Sequence, residues 1–342
     1  MPPTDADVAA FADELRGAKR VLLTTHVRPD GDALGTTAAL QKGLAGLGVE
    51  ARCLVLSEVP PKYAFLYEGV PHDVLVPGAG VQRHLDGVDV LLVCDTGTWS
   101  QLPGLREPIA QFSGKTLVLD HHVTQEDWPD RHLVDATAGA AAEIAQRLLT
   151  ALGVSLDPQT ATCLYAAMAT DTGWFSYSNA TARTLRLAAD CVEAGASPDE
   201  LNGRLYRSEP ASRVRLVARG LASLELEADE RLAIMELRRG DYELAGATVA
   251  DGEGLINEPM QIAKVEASLL LGENPNPGDL PGPTAVKVSL RSKGTLDCAA
   301  LLKTFGGGGH PRAAGARVEG DLATVRRQVV AAVLEALGAE GA

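Results

Sequence analysis

His26, Asp30 and Asp32 fall within seven residues of one another in the stretch Thr24–Gly35, TTHVRPDGDALG, with Pro29 and Gly31 bending the chain between them. Imidazole and carboxylate are both metal ligands, and three of them crowded into one turn are poorly explained as a solvated loop. Taken singly they are ordinary. Asx residues favour turns, and Asp32 alone would serve as the N-cap of a following helix. The reading depends on matching ligands elsewhere, and three more places supply them. VLLVCDTG presents Asp95, TLVLDHH presents Asp120, His121 and His122, and MATDTGWF presents Asp171.

The elements that must position these residues follow from the apolar pattern. RVLLTT (20–25), ARCLVLS (51–57), VDVLLVCDTG (88–97) and KTLVLDHH (115–122) read as buried strands. Helices are predicted between and after them, over roughly 34–47, 137–152 and 158–170. Short continuous apolar runs alternating with helices indicate an α/β fold, a parallel sheet flanked by helices on both faces. Ligands in such sheets bind beyond the carboxyl ends of the strands. His26, Asp95 and Asp120–His122 therefore meet at one edge, where Asp171, ending the 158–170 helix, joins them. A lone Asp after a strand is usually a helix cap and a lone His is usually surface or core. The mixed set on one edge is what points to a metal centre.

Asp oxygens with a few imidazoles and no thiolate suit Mn²⁺ or Mg²⁺, with Zn²⁺ or Fe²⁺ also accommodated. Six ligands are too many for one catalytic ion that keeps open positions, so two ions are more economical, bridged by a carboxylate for which Asp95 is the candidate. Such a pair suits hydrolysis of a phosphoester or phosphoanhydride.

A second cluster lies at Gly306–Gly315, GGGGHPRAAG. Consecutive glycines bare their backbone N–H groups and let a ligand approach closely. No GK[ST] follows, so this is not a P-loop. Around it, six Lys/Arg residues (287, 291, 293, 303, 312 and 317) face a single acid, Asp297. In VKVSLRSK, strand alternation puts Lys287, Ser289, Arg291 and Lys293 on one face. Lys287 and Lys293 read equally well as a solvated face. Arg291, beside Ser292 and facing His310, is the better candidate to grip a phosphate.

At 342 residues the chain calls for two domains. Region 181–228 reads as further helix joining them. After it come strand candidates RLAIMELRR, QIAKVEASLLLGE and TAVKVSLRSKG, then an alanine-rich helix at about 322–338. A Pro/Gly/Asn-rich loop, 274–283, separates two of those strands. Composition describes an ordinary globular protein, 46% hydrophobic and 22% charged. No apolar run reaches the length of a bilayer span, and the first twenty residues lack the pattern of a signal peptide, so no membrane is expected as a partner. Five scattered cysteines without a CxxC pair suggest reduced, packed thiols and a cytoplasmic setting. A net charge of −14 argues against a broad surface for long nucleic acid and favours small anionic substrates or chain ends, drawn by a local patch or a metal ion.

HVRPDGDALG, VCDTG, DHH and ATDTG, in that order, resemble the motifs of the DHH phosphoesterase superfamily, and SLRS…GGGGHPRAAG resembles its DHHA1 substrate-binding domain. The compact length is similar to the bifunctional oligoribonuclease (nanoRNase)/pAp-phosphatase branch. That resemblance implies a DHH catalytic domain over 1–185, a helical linker over 186–228 and a smaller mixed α/β DHHA1 domain over 229–342. It implies a two-Mn²⁺ enzyme acting on short RNA (short DNA included) and on pAp, with cyclic di-AMP or linear dinucleotide hydrolysis as the alternative. A family II-type pyrophosphatase and a non-catalytic nucleotide-binding module stand further off. Carried across by motif, His26, Asp30 and Asp95 would hold one ion, and Asp32, Asp95, His121 and Asp171 the other. His122 would contact the scissile phosphate, with Asp120 orienting a histidine. Arg291, Ser292, Gly307, Gly308, Gly309, His310 and Arg312 fall in the region used for the nucleotide end. A homodimer is compatible with the sequence.

Overall fold

In the computed structural model, which describes residues 2–75, 80–273 and 285–338, the chain divides into two compact units, Met1–Ser208 and Glu209–Ala342. The loop 274–283 lies outside the described residues.

The first unit is built on the expected apolar runs. Strands β1 (Arg20–Thr24), β2 (Glu50–Val55), β3 (His72–Val74), β4 (Val90–Cys94), β5 (Lys115–Asp120) and β6 (Arg131–Val134) form one sheet in the order β3-β2-β1-β4-β5-β6. Every pair in it is parallel. The central β4, VLLVC, is buried along its whole length, which is why it reads as a continuous apolar run rather than an alternation. The edge strands β3 and β6 were not expected from sequence. HDV and RHLV are short and polar, and pairing to a neighbour rather than apolar patterning makes them strands.

Helices α1 (Asp5–Gly17), α2 (Gly31–Gly46), α3 (Gln82–Leu85), α4 (Arg106–Ala110), α5 (Ala141–Leu152), α6 (Pro158–Asp171), α7 (Ala182–Glu193) and α8 (Pro198–Tyr206) complete the unit. Separate apolar cores cover the two sheet faces, one around Leu23, Leu92 and Leu119, the other around Leu22, Leu91 and Val118. Helix α2 is buried on nearly all sides, and its Leu34, Leu40 and Leu44 are fully enclosed. Each such side chain contributes about 1.5–3 kcal/mol of burial. The stretch 186–228 is divided, giving α7 and α8 to this unit and α9 (Ala211–Ala222) to the next. Ala188, Cys191, Leu201 and Leu205 belong to the first core, which ties α7 and α8 to it.

In the second unit, β7 (Glu225–Glu227), β8 (Leu232–Leu237), β9 (Ala267–Glu273), β10 (Ala285–Ser292), β11 (Gly308–His310) and β12 (Ala313–Glu319) form a mixed sheet ordered β11-β12-β10-β9-β8-β7. Among the described residues of this sheet, only β8 and β9 pair in parallel. Helices α10 (Arg239–Ala245), α11 (Cys298–Lys303) and α12 (Leu322–Ala336) accompany it. Among the described residues no helix is long and apolar enough to cross a membrane. All five cysteines are buried free thiols.

Candidate metal centre

Four segments of the first unit converge beyond the carboxyl ends of β1, β4 and β5. Thr24 and Thr25 donate their hydroxyls to Leu54 and Cys94 carbonyls, tying the end of β1 to both neighbouring strands. His26 follows. Its Nδ1 lies 3.0 Å from the Val27 carbonyl, which can only accept, so Nδ1 carries the proton and Nε2 is turned to Asp95 Oδ2 at 3.5 Å.

Asp30 and Asp32 divide their work differently from the simplest reading of the sequence. Helix α2 starts at Gly31, and Asp30, not Asp32, is its N-cap, its Oδ1 accepting from the N–H groups of Asp32 and Ala33. Gly31 is required by close approach, since a Cβ there would sit 2.3 Å from Thr170 Oγ1 on α6. Asp32 points away from its own helix start. Its Oδ2 accepts from Ala141 N–H at 2.6 Å, and its Oδ1 from Ala142 N–H at 3.1 Å and Thr36 Oγ1 at 3.0 Å. Ala140 has no capping side chain, so Asp32 serves as the acceptor for the N-terminus of α5.

Asp95 follows β4 in a left-handed conformation, φ 62°, uncommon for a residue with a side chain and concentrated at functional sites. Only 3% exposed, it has His26 on one side and His121 Nε2 at 3.4 Å from Oδ1 on the other. That Oδ1 is buried and accepts no hydrogen bond. A buried carboxylate oxygen without a donor is costly unless a cation faces it.

Asp120, fully buried, accepts at Oδ1 from the N–H groups of His121 and His122 and from His122 Nδ1 at 2.8 Å, and at Oδ2 from Gln125 Nε2. His122 Nδ1 is thereby protonated, leaving Nε2 free on an exposed ring. His121 has its Nδ1 at 3.2 Å from the Ala138 carbonyl, and its Nε2 faces Asp32, Asp95 and Asp171 at 3.8, 3.4 and 3.6 Å. Three sets of ligand atoms lie mutually within 4.8 Å: His26, Asp30 and Asp95; Asp32, His121 and Asp171; and Asp95, His121 and His122.

Electrostatics match a site built for cations. Burial, then the Asp95 charge, push the Asp32 carboxyl well above its usual range against the pull of His121. Burial likewise lifts Asp171 to about 6. Burial opposes ionising Asp95 too, but His121 and His26 outweigh it and hold this carboxyl low. Burial also resists charging His26 and His121, yet Asp95 and its neighbours raise them to about 9 and about 10. Protons thus occupy the imidazoles where metal would displace them. Four carboxylates around two inward imidazoles, with Nδ1 of each imidazole on a carbonyl and no hydrogen bond to Asp95 Oδ1, fit divalent ions.

The glycine cluster of the second unit forms a hairpin. Gly308, Gly309 and His310 pair with Gly315, Ala314 and Ala313. A Cβ at Gly309, φ 148°, would come within 2.5 Å of the Ala313 carbonyl, so this glycine closes the hairpin and the open position facing a ligand is Gly308. Gly307 is similarly packed against Gly315 and Ala316. A cavity of about 710 Å³ is lined by Lys287, Ser289, Arg291, Gly308, Gly309 and Tyr242, among others. Arg291, Ala313 and His310 share one row of the sheet. Ser292 does not join Arg291. Strand alternation turns it to the buried face, where its Oγ has no partner, and Ser289 lines the cavity instead. His310 and Arg312 are exposed at the hairpin end and do not line the cavity.

Sequence reading missed the groups that hold the ligands. The N–H groups of Ala141 and Ala142 and the Ala138 carbonyl have no side-chain signature, and Gln125 was an unremarked amide five residues beyond Asp120.

A parallel-sheet domain with this ligand edge, followed by a mixed-sheet domain with a glycine hairpin, defines the DHH–DHHA1 class. The chain belongs to the DHH phosphoesterase family: the family's N-terminal domain matches residues 20–168, and the DHHA1 domain matches 242–339. The bifunctional oligoribonuclease and PAP phosphatase NrnA of Thermus thermophilus is 31% identical over 327 residues, 94% of this chain and 91% of that protein. Its Bacillus subtilis counterpart is 26% identical over 308 residues, 87% and 89% of the two chains. The crystal structure of an exopolyphosphatase-related protein from Bacteroides fragilis shares the fold, with a TM-score of 0.84 at 23% identity over 98% of this chain and 96% of that one.

Proposed function

We propose that this protein is a two-metal phosphoesterase that hydrolyses short oligoribonucleotides to mononucleotides and dephosphorylates pAp. The observation that carries the reading is the buried Asp95 carboxylate, with His26 at Oδ2, His121 at Oδ1 and no hydrogen bond to Oδ1, in a chain whose relatives bear those two activities by name. His26, Asp30 and Asp95 would hold one ion, and Asp32, Asp95, His121 and Asp171 the other. Mn²⁺ is the proposed occupant and Mg²⁺ is also accommodated, since oxygen and imidazole donors without thiolate suit both. Divalent cations held there would supply polarisation of phosphoryl oxygens and a nucleophilic water at neutral pH.

The chain's own residues do the rest. Asp120 accepts a hydrogen bond from His122 Nδ1, and the imidazolium form of this ring would donate from Nε2 to a phosphoryl oxygen. Asp120 raises the His122 pKa by its hydrogen bond, against burial, and further by its charge, which favours that imidazolium form. In the second unit, Arg291 and Lys287 line a cavity with no acid paired to either among the described residues, so both cations are available to a nucleotide phosphate. Buried unpaired thiols suit the cytoplasm.

The test offers the purified protein, with Mn²⁺, a 5′-labelled RNA dinucleotide, pAp, cyclic di-AMP and pyrophosphate in parallel. Turnover of the dinucleotide and pAp is expected. Preferential turnover of cyclic di-AMP or pyrophosphate would replace this substrate assignment, and no turnover of any would leave a nucleotide-binding module.

A further inference from the structure

Behind the ligands lies a segment that none of the metal-binding motifs includes. Residues 135–142 touch the centre three times, through the Ala138 carbonyl at His121 Nδ1 and the Ala141 and Ala142 N–H groups at Asp32. Its own shape is fixed by two buried carboxylates. Asp135, 1% exposed, accepts from Thr137 N–H and Oγ1, which folds the segment's start into an Asx turn. Glu143, equally buried, accepts at Oε1 from Gly139 N–H at 2.9 Å and Thr184 Oγ1 at 2.6 Å. One guanidinium bridges both: Arg183 Nε donates to Glu143 Oε2 at 2.7 Å and its Nη1 to Asp135 Oδ2 at 3.0 Å. Asn179 adds a third tie, its Nδ2 donating to the carbonyls of Gly139 and of Asp171.

We infer that Arg183 is a positioning residue for the metal centre, holding the two ends of 135–142 through Asp135 and Glu143 so that its backbone sets the aim of Asp32 and His121. This rests on the two-metal reading above. The physical argument is one of geometry. Two buried carboxylates eight residues apart are held by one planar fork whose donors diverge at fixed angles, a task that a point-charge ammonium cannot duplicate. With the fork removed, both carboxylates lose their charged partner, and the segment relaxes where it meets the ligands. Partners bonded directly to metal ligands typically change metal affinity or activity about 10- to 100-fold, and Arg183 acts one link further out, so the low end of that range is expected.

The test compares wild type with Arg183→Met and Arg183→Lys, each confirmed folded by circular dichroism after EDTA treatment. Mn²⁺ binding is read from the free-ion EPR signal, and kcat and KM are measured on an RNA dinucleotide. Arg183→Met is expected to weaken Mn²⁺ binding about tenfold or more and to lower kcat with KM within about twofold, and Arg183→Lys to recover only part of the loss. Should Arg183→Met fail to fold, Asn179→Ala, which frees Gly139 and Asp171 without touching the guanidinium, is expected to weaken Mn²⁺ binding in the same direction. Wild-type Mn²⁺ affinity in folded Arg183→Met, or in Asn179→Ala where Arg183→Met is unfolded, would overturn the inference. A wild-type protein that binds no Mn²⁺ would instead overturn the two-metal reading and this inference with it.

Discussion

The two units handle charge in opposite ways. In the first, Asp30, Asp32, Asp120 and the three imidazoles of the centre are held by hydrogen bonds to the fold around them. Asp32 accepts three hydrogen bonds and Asp120 four, and each of the three imidazoles has Nδ1 committed to an acceptor. In the second, Arg291 donates only to the Leu290 carbonyl among the described residues. The difference matches two tasks. Metal ligands must be held in place before the ion arrives, since misaim directly costs catalysis. A cation meant for a phosphate is better left without an internal acid, because an internal pair would have to break on binding.

That contrast can be broken by mutation. Asp95→Ala, which removes the carboxylate found in two of the three ligand groups, with His26 and Asp30 and with His121 and His122, is expected to lower kcat by more than about 100-fold, beyond what outer partners of a metal centre cost. A folded variant with near-native turnover would refute the shared-ligand role. Asp120→Asn keeps the shape but weakens the grip on His122, and kcat should fall about 10- to 100-fold while KM stays within twofold. A change confined to KM would place Asp120 outside the chemistry. Arg291→Ala should do the reverse, raising KM about tenfold, the low end for a hydrogen bond to a charged group, with kcat nearly unchanged. Loss of kcat as large as that of Asp120→Asn would erase the distinction between the units.

The smallest effect is on stability. His26 and His121, raised to about 9 and about 10, bind protons more tightly folded than unfolded. Their contribution is fully present below pH 6.5 and is lost as pH rises through those values. Asp171, raised to about 6, acts in the same direction between about pH 4 and 6. The melting temperature of EDTA-treated protein should therefore fall as pH rises from 6.5 to 9. Mn²⁺ at a hundredfold excess over Kd adds about 2.7 kcal/mol, and its benefit should grow with pH as protons leave the ligands. Calorimetry at pH 6.5, 7.5 and 8.5 with and without the ion checks both slopes, and a Mn²⁺ benefit that shrinks with pH would mean the imidazoles are not ligands.

Much of this was legible in the residues themselves. The four apolar runs became β1, β2, β4 and β5, and a parallel sheet leaves His26, Asp95 and Asp120–His122 little choice of edge. The short edge strands were not legible, because β3 and β6 owe their conformation to a neighbour rather than to their own pattern. Nor was the start of α5. The sequence suggested about 137, whereas 135–140 is a turn held by Asp135 and Arg183, and the helix begins at Ala141.

The types of the candidate ligand residues, their order and their strand-end placement were thus determined by the sequence alone, because side-chain chemistry and the period of apolar residues are local properties. The tertiary structure decided the aims. It made Asp30 rather than Asp32 the cap of α2, sent Asp32 to a helix that begins 109 residues later, turned Ser292 from the cavity that Ser289 enters, and set Arg183 behind the ligands. Each of these depends on backbone groups brought together from distant parts of the chain, and a backbone N–H or carbonyl is the same in every residue that carries it.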